Sequence, residues 1–223
     1  MIGQIAGVLA KELLIEWRDR SRVSGLFFFG LAVLLMVAFA SPSEGALRDQ
    51  AAGTLWVGLL LASTRALDQA YSIEMEHDAM EAMVLWPVDP RAIFYGKALA
   101  NTALLTLVAV GLVPLLFAMY DVHLRGSIAM LGGFLVLGCA GLAAPGTLYG
   151  LVTAQARGSS VLLPLLLFPL VVPCILSAAK GTGVVLDGDP MGQGDSWMGL
   201  LVAFNAIHWS LSGVLYGRIA EDT

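Results

Sequence analysis

Charged side chains are scarce in this sequence of 223 residues. Asp, Glu, Lys and Arg together make up 13% of the chain, whereas hydrophobic residues make up 58%. Soluble domains carry about 25% charged and roughly 45–50% apolar residues. The composition therefore argues against a soluble globular domain and indicates a polytopic membrane protein. The length suffices for about six helices of ~20 residues joined by short loops.

Basic residues and cysteines are also few. Twelve Lys and Arg residues against seventeen Asp and Glu residues give a net charge of −5. The basic residues form no extended stripe, which argues against nucleic-acid binding. Cys139 and Cys174 lie in apolar runs without CxxC or CxxCH spacing, so we expect neither a disulfide framework nor covalent haem attachment. The amphipathic start of the chain also lacks the pattern of a cleavable signal peptide.

The sequence has no nucleotide-binding loop. Gly96-Lys97 is followed by Ala98, and the glycine that should precede the pair and the Ser or Thr that should follow it are missing. If the protein works with ATP, a separate chain must hydrolyse it. We therefore expect no catalytic residues and no enzymatic activity of this chain by itself.

Long uncharged runs are what the sequence has in abundance. They predict an all-α polytopic membrane protein, formed as a single permease domain over 1–223. An amphipathic helix over 1–22 is expected to lie in the membrane interface instead of spanning. Six transmembrane spans are predicted after it, at 24–40, 51–68, 98–120, 126–155, 161–179 and 197–216.

Particular spans carry polar residues or helix breakers. In the second, Arg65 and Asp68 are three residues apart, so they can form an ion pair at the helix end, or Arg65 can reach the interface. The fourth contains the pair Gly146 and Gly150, which predicts close helix packing. Prolines in the fourth and fifth spans predict kinked helices, at Pro145, Pro164, Pro169 and Pro173.

The basic residues predict the orientation of the chain. If the N-terminus is cytoplasmic, nine of the twelve Lys and Arg residues fall on the cytoplasmic side and three on the other, namely Arg48, Arg125 and Lys180. Cytoplasmic loops carry the excess of Lys and Arg in membrane proteins. Both termini are therefore predicted to be cytoplasmic, together with a charged passage at 71–101.

That charged passage begins with a predicted helix over 73–85. The helix places four polar side chains on one face, namely Glu74, His77, Asp78 and Glu81. Pro87 ends it, and Asp89-Pro90 has the pattern of an N-cap followed by proline at the first helical position. The polar face could hold a metal ion, but such sites need similar ligands on a second helix. A surface that contacts a partner protein is favoured, and no metal site is expected.

Two histidines are candidates for cofactor binding. His208 lies in the middle of the sixth span, where a haem ligand, a proton relay and a catalytic base are open interpretations. The favoured interpretation is that His208 forms a hydrogen bond with a residue of another helix. An intramembrane hydrolase would need a GxSxG-type elbow, which the sequence lacks. His123, in a polar loop on the outer side, could contact haem or a metal.

Three passages carry a resemblance to a known family, namely KELLIEWRDRSR, EMEHDAMEAMVLWPVDPRAIFYGKALAN and APGTLYGLVTAQARGSSVLLPLLLFPLVVP. In order and over nearly the whole chain they resemble the CcmB family. Its members are membrane permease subunits of the haem-export (System I) machinery for cytochrome c maturation. The most specific part is 87–101. Where the family has a leucine-rich run and a serine, this chain has Met83-Val84-Leu85-Trp86, a conservative departure for docking.

The resemblance implies a six-helix ABC-2-type permease in the bacterial inner membrane. Its expected partners are a cytoplasmic ABC ATPase, other membrane subunits of the cytochrome c maturation complex and a second permease copy. The resemblance also implies haem as a candidate substrate. The haem iron is then expected to be ligated mainly by another subunit and by a periplasmic haem chaperone. By resemblance, 74–86 is the coupling helix on the ATPase, and the residues with this role are Glu74, His77, Asp78, Glu81, Met83, Leu85, Trp86, Pro87 and Asp89. An exporter for a lipid, glycan or drug, or an assembly scaffold without transport, is the alternative.

Overall fold

The chain folds into a bundle of long helices. The computed structural model describes residues 1–18, 20–76, 89–155 and 162–221, and in these ranges it contains seven α-helices and no strand. They are α1 (Ile2–Arg18), α2 (Arg20–Ala40), α3 (Glu44–Glu76), α4 (Pro90–Tyr120), α5 (Ile128–Gln155), α6 (Leu162–Leu186) and α7 (Gly194–Glu221). For the described residues, the predicted all-α fold class is confirmed.

Five of these helices are long and apolar enough to cross a membrane, namely α2, α4, α5, α6 and α7. The protein is therefore a multi-pass membrane protein, as predicted. The predicted second span lies in α3, which is not among the five because its uncharged stretch covers only 51–64. Leu55, Trp56 and Leu59 of α3 are nevertheless fully buried. This helix is therefore an integral part of the bundle.

Helices α2 to α7 alternate in direction. We call the near end the end at which α2, α4 and α6 begin, and the far end the one at which α3, α5 and α7 begin. At the far end Arg48 of α3 forms an ion pair with Asp121, and the backbone N–H of Gly126 donates to the carbonyl of Val185 at 2.9 Å. These contacts join the start of α3 to the end of α4, and the start of α5 to the end of α6.

α5 runs through the centre, and α3, α4, α6 and α7 all pack against it. Glycines permit this close packing: a Cβ atom on Gly138 would lie 2.1 Å from the Trp56 indole, and one on Gly146 would lie 2.2 Å from the Leu67 side chain. Without hydrophobic attraction between helices in lipid, such close backbone contact is a main source of stability. The packing predicted at Gly146 is confirmed.

Several predicted helix boundaries were wrong. The N-terminal helix ends at Arg18 instead of 22, and α3 continues unbroken from Glu44 to Glu76, so no separate helix begins at 73. α6 runs past the predicted end at 179 to Leu186. Charged residues such as Lys180 predict a helix end, but a helix can continue through the headgroup layer. α6 ends only before Gly188, whose φ of 91° is open mainly to glycine.

Candidate coupling site at the near end

Asp89 and Pro90 begin α4 at the near end, as predicted. Asp89 has extended backbone angles, and its side chain accepts a hydrogen bond from the backbone N–H of Arg91 at 2.9 Å. Pro90 occupies a position where its missing N–H removes no helical hydrogen bond. The start of α4 is thus fixed by a capping side chain and a residue with restricted backbone angles.

Most of the predicted coupling residues lie outside the described residues. The range 77–88 contains His77, Asp78, Glu81, Met83, Leu85, Trp86 and Pro87. For Glu74 the structure describes only the backbone, in the last turn of α3. The polar face therefore stays a prediction. The anchoring of the two flanking helices, α3 and α4, is described.

A buried ion pair attaches α1 to α4. Lys97 Nζ lies 2.9 Å from Glu12 Oε1, and the two side chains are 2% and 12% exposed. Burial raises the pKa of Glu12, but the charges and hydrogen bonds of Lys97 and Lys11 outweigh it, so the net pKa lies below the ordinary value of 4.5. Glu12 is therefore ionised at neutral pH, and the pair is a charged link between the two helices.

The residue before Lys97 lets α1 come close. A Cβ atom on Gly96 would lie 2.6 Å from Val8 Cβ and 3.2 Å from the carbonyl oxygen of Ile5, both in α1. Gly96-Lys97, which does not qualify as part of a nucleotide-binding loop, thus has a structural role. The glycine sets the distance between the helices, and the lysine forms the ion pair.

A second ion pair links α1 to α2. Arg22 pairs with Glu16, and their side chains are 10% and 12% exposed. Arg22 also donates a hydrogen bond to the carbonyl of Ala66 in α3. We call Glu12, Glu16, Arg22 and Lys97 the near-end ion-pair cluster. Because 77–88 connects α3 to α4, this cluster contacts the helices on both sides of that segment: Lys97 joins α4 to α1, and Arg22 joins α2 to α3.

The sequence analysis does not predict this cluster, because the charges of α1 interrupt its apolar face and indicate contact with headgroups. Ile5, Val8, Glu12 and Glu16 follow one another at intervals of three and four, so they share one helix face. These residues are partly buried against the bundle, whereas Trp17 is 71% exposed. The available signal was therefore the register of the two acidic residues with the two apolar ones.

The structure places the ring of His208 against its own helix. Its Nδ1 lies 2.9 Å from the carbonyl oxygen of Phe204, one turn earlier in α7, and the two rings stack with centroids 3.8 Å apart. This contact lies within one helix, so the favoured hydrogen bond across helices stays a prediction for the other ring nitrogen. Its neighbours Asn205 and Trp209 instead donate to carbonyls of α5, at 2.9 and 3.2 Å.

The other predicted residues do not converge on the coupling site. His123 lies at the far end beside an open cavity of about 390 Å³. The guanidinium of Arg65 lies 5.8 Å from the ring of Phe29, while the side chain of Asp68 is outside the described residues, so their ion pair stays a prediction. In the part of the chain that the structure describes, no three His, Cys, Asp or Glu residues are grouped to hold a metal ion.

The prolines predicted to kink helices occupy different positions. Pro145 lies inside α5, and Pro169 and Pro173 lie inside α6. Pro164 lies in the first turn of α6, where a proline removes no helical hydrogen bond and need not bend the helix. The carbonyl of Pro173 accepts a hydrogen bond from Ser177 Oγ at 2.7 Å. Kinks at the three interior prolines stay predictions.

Comparison with known proteins identifies the family. The family model described as "CcmB protein" matches residues 4–215. The chain belongs to the CcmB family. The membership that the three sequence passages predicted is therefore confirmed, and the match includes all or most of each of the seven described helices.

Curated relatives of this family member carry the name "Heme exporter protein B". One from Rhodobacter capsulatus is 32% identical over 157 residues, which cover 70% of this chain and 71% of the relative. One from Paracoccus denitrificans is 32% identical over 189 residues, 81% of this chain and 86% of the relative. One from Bradyrhizobium diazoefficiens is 25% identical over 173 residues, 76% of each chain.

Proposed function

We propose that this chain is the membrane permease subunit of an ATP-driven complex for haem export or haem-chaperone release in c-type cytochrome biogenesis. Membership of the CcmB family carries this proposal, since its relatives are named "Heme exporter protein B". The apolar helices agree with a role in the membrane. Because the sequence has no nucleotide-binding loop, ATP is hydrolysed by a separate ABC ATPase, and this chain is not an enzyme by itself.

In the proposed topology α2 to α7 all cross the bacterial inner membrane. α3 thus joins the five apolar helices and brings the number of spans to six. α3 has 33 residues, or about 50 Å at ~1.5 Å per residue, more than the ~40–45 Å of a bilayer with its headgroups. Six crossings place α1 and the end of α7 on one side. The excess of basic residues at the near end assigns that side to the cytoplasm. The exposed Leu14 and Trp17 of α1 then contact the membrane interface.

The segment 77–88 is proposed as the docking surface for the ATPase. Any displacement of this segment reaches the start of α4 directly, because the Asp89 cap and Pro90 leave little conformational freedom there. Lys97 follows about two turns later and is joined to Glu12. The ion pair therefore carries the displacement of α4 to α1, and the helices with interior prolines adapt to it.

The proposed complex contains two copies of this chain, the ATPase and further membrane subunits for cytochrome c maturation. Haem is the proposed substrate. His123 and His208 are the candidates in this chain for contact with it. Outward-facing apolar side chains of α2, such as Met36 and Phe39 at 72% and 87% exposed, suit a surface surrounded by lipid or by other membrane subunits.

Gene deletion followed by complementation tests this proposal. Covalent haem in c-type cytochromes should disappear on deletion and return with the wild-type chain. The triple variant Glu74→Lys/Asp78→Lys/Glu81→Lys should be inserted in the membrane but should fail to restore it, because the reversed charges disrupt the docking surface. A matched control reverses three exposed acidic residues at the far end, Glu44→Lys/Asp49→Lys/Asp195→Lys, and should restore it.

Different outcomes contradict different parts of the proposal. Cytochromes that keep their covalent haem without this chain would rule out the haem function and favour an exporter for a lipid, glycan or drug. Full maturation with the triple variant, and unchanged ATPase stimulation by it, would rule out docking through 77–88 alone. Maturation that survives loss of ATP hydrolysis in the partner would favour an assembly scaffold.

A further inference from the structure

A groove opens on the outside of the bundle where α1 lies against α2 and α4. Its volume is about 740 Å³. This is within the range of roughly 300–1,000 Å³ for sites that bind small molecules. Its walls consist mainly of apolar side chains from the three helices, including Leu13, Trp17, Val23, Phe27, Leu104 and Leu107.

One end of this groove carries a positive charge. Arg20 lines it, and its guanidinium lies 5.0 Å from the ring of Trp17. Glu16 is the carboxylate that lines the groove within the described residues, and it forms its ion pair with Arg22. No ion pair between Arg20 and another described residue is present. The groove therefore combines an apolar interior with a cation that has no acidic partner among the described residues.

The position of the cation matches the layers of a membrane. Arg20 is the first residue of α2, and the groove follows this helix to Phe27, about 10 Å away at ~1.5 Å per residue. The headgroup layer on each side of a bilayer is only about 5–8 Å deep. With Arg20 at headgroup level, Phe27 and the neighbouring Leu107 of α4 lie at the depth of the acyl chains.

We propose that this groove binds one anionic phospholipid, with its phosphate on Arg20 and an acyl chain along Phe27 and Leu107. Basic pockets between membrane helices on the cytoplasmic side are typical binding sites for lipid headgroups. A phospholipid with a net negative charge matches Arg20 better than a zwitterionic one. Because the walls of the groove come from α1, α2 and α4, the bound lipid contacts three helices and stabilises the attachment of α1.

A lipid titration of the purified full-length chain in detergent micelles tests the charge preference. Phosphatidylglycerol should bind in native mass spectra and raise the thermal unfolding midpoint, whereas phosphatidylcholine with the same acyl chains should do so less. Free glycerol phosphate should have no effect, because it lacks the acyl chain. Arg20→Gln should weaken binding of phosphatidylglycerol roughly fivefold, the equivalent of about 1 kcal/mol per basic residue. Arg18→Gln, a nearby exposed arginine outside the groove, should not.

A second pair of variants tests the apolar interior. Leu107→Trp fills the groove, whereas Val110→Trp adds the same bulk on α4 outside it, and the native residues are 60% and 54% exposed. Only Leu107→Trp should release the lipid. Equal binding of both lipids with no effect of Arg20→Gln would overturn the proposal. So would a Leu107→Trp variant that keeps the lipid but turns a dimer into a monomer, since a second copy would then occupy the groove.

Discussion

The two ends of the bundle join their helices with ion pairs of different exposure. At the near end the side chains of Lys97 and Glu12 are 2% and 12% exposed, while at the far end those of Arg48 and Asp121 are 48% and 65% exposed. An exposed pair contributes about 0–1 kcal/mol because water competes for both charges. Removal of one partner from a buried pair costs ~3–5 kcal/mol, since the other charge is left without compensation.

This difference separates a stiff end from an adaptable one. The near-end ion-pair cluster contacts both helices that flank 77–88, the segment proposed to contact the ATPase. A firmly held α1 makes α1 and α4 move together, whereas the exposed Arg48–Asp121 pair can break and form again at little cost. The contrast suits a protein in which force enters at the near end and the far end rearranges.

Lys97→Met has the largest expected effect and tests the stiff end. It removes the buried cation from the largely buried Glu12 carboxylate and leaves only the more exposed Lys11, 3.4 Å away, so we expect a loss of up to about 3–5 kcal/mol in the free energy of unfolding. The thermal unfolding midpoint in detergent measures it. The control is Lys97→Met/Glu12→Leu, which removes both charges and should recover most of the loss. A double variant as unstable as the single one would show that lost packing, and not the uncompensated charge, is responsible.

Acidification should weaken the Glu12–Lys97 contact less than Lys97→Met does. The net lowering of the Glu12 pKa is limited, because burial and the neighbouring lysines shift it in opposite directions. Burial raises this pKa, and the neighbouring lysines lower it below 4.5. A carboxyl with a lowered folded-state pKa stabilises the fold above its unfolded-state pKa, and this contribution is lost as pH falls through the lowered value. The unfolding midpoint should therefore decrease in this acidic range. The decrease should be smaller in Lys97→Met/Glu12→Leu, and an identical pH profile would contradict the assignment to Glu12.

Local features of the near end could be predicted from the sequence, whereas the contacts between distant segments could not. The Asp89 cap was predictable because it depends on residues within a few positions of one another. Glu12 and Lys97 are 85 positions apart, and no local pattern pairs them. Only the register of Glu12 and Glu16 with the apolar face of α1 indicated that these charges face protein.

The same distinction explains the errors elsewhere. Lys180 suggested the end of a span, but the helix continued because its end depends on Gly188, eight positions later. For His208 no sequence pattern indicated the contact with a carbonyl one turn earlier in its own helix. α3 illustrates a further limit: its uncharged stretch is short, yet Leu55, Trp56 and Leu59 within it are fully buried in the bundle.

Arg48→Gln has the smallest expected effect and tests the adaptable end. It breaks the exposed pair with Asp121. Because water then solvates the Asp121 carboxylate, we expect a change of at most about 1 kcal/mol in the free energy of unfolding. The unfolding midpoint should therefore stay close to that of the wild type, and high salt should change it little. A loss as large as that of Lys97→Met would contradict the contrast between the ends. It would mean that the far end is also held rigidly, and rearrangement would then have to take place inside the bundle, around the prolines of α5 and α6.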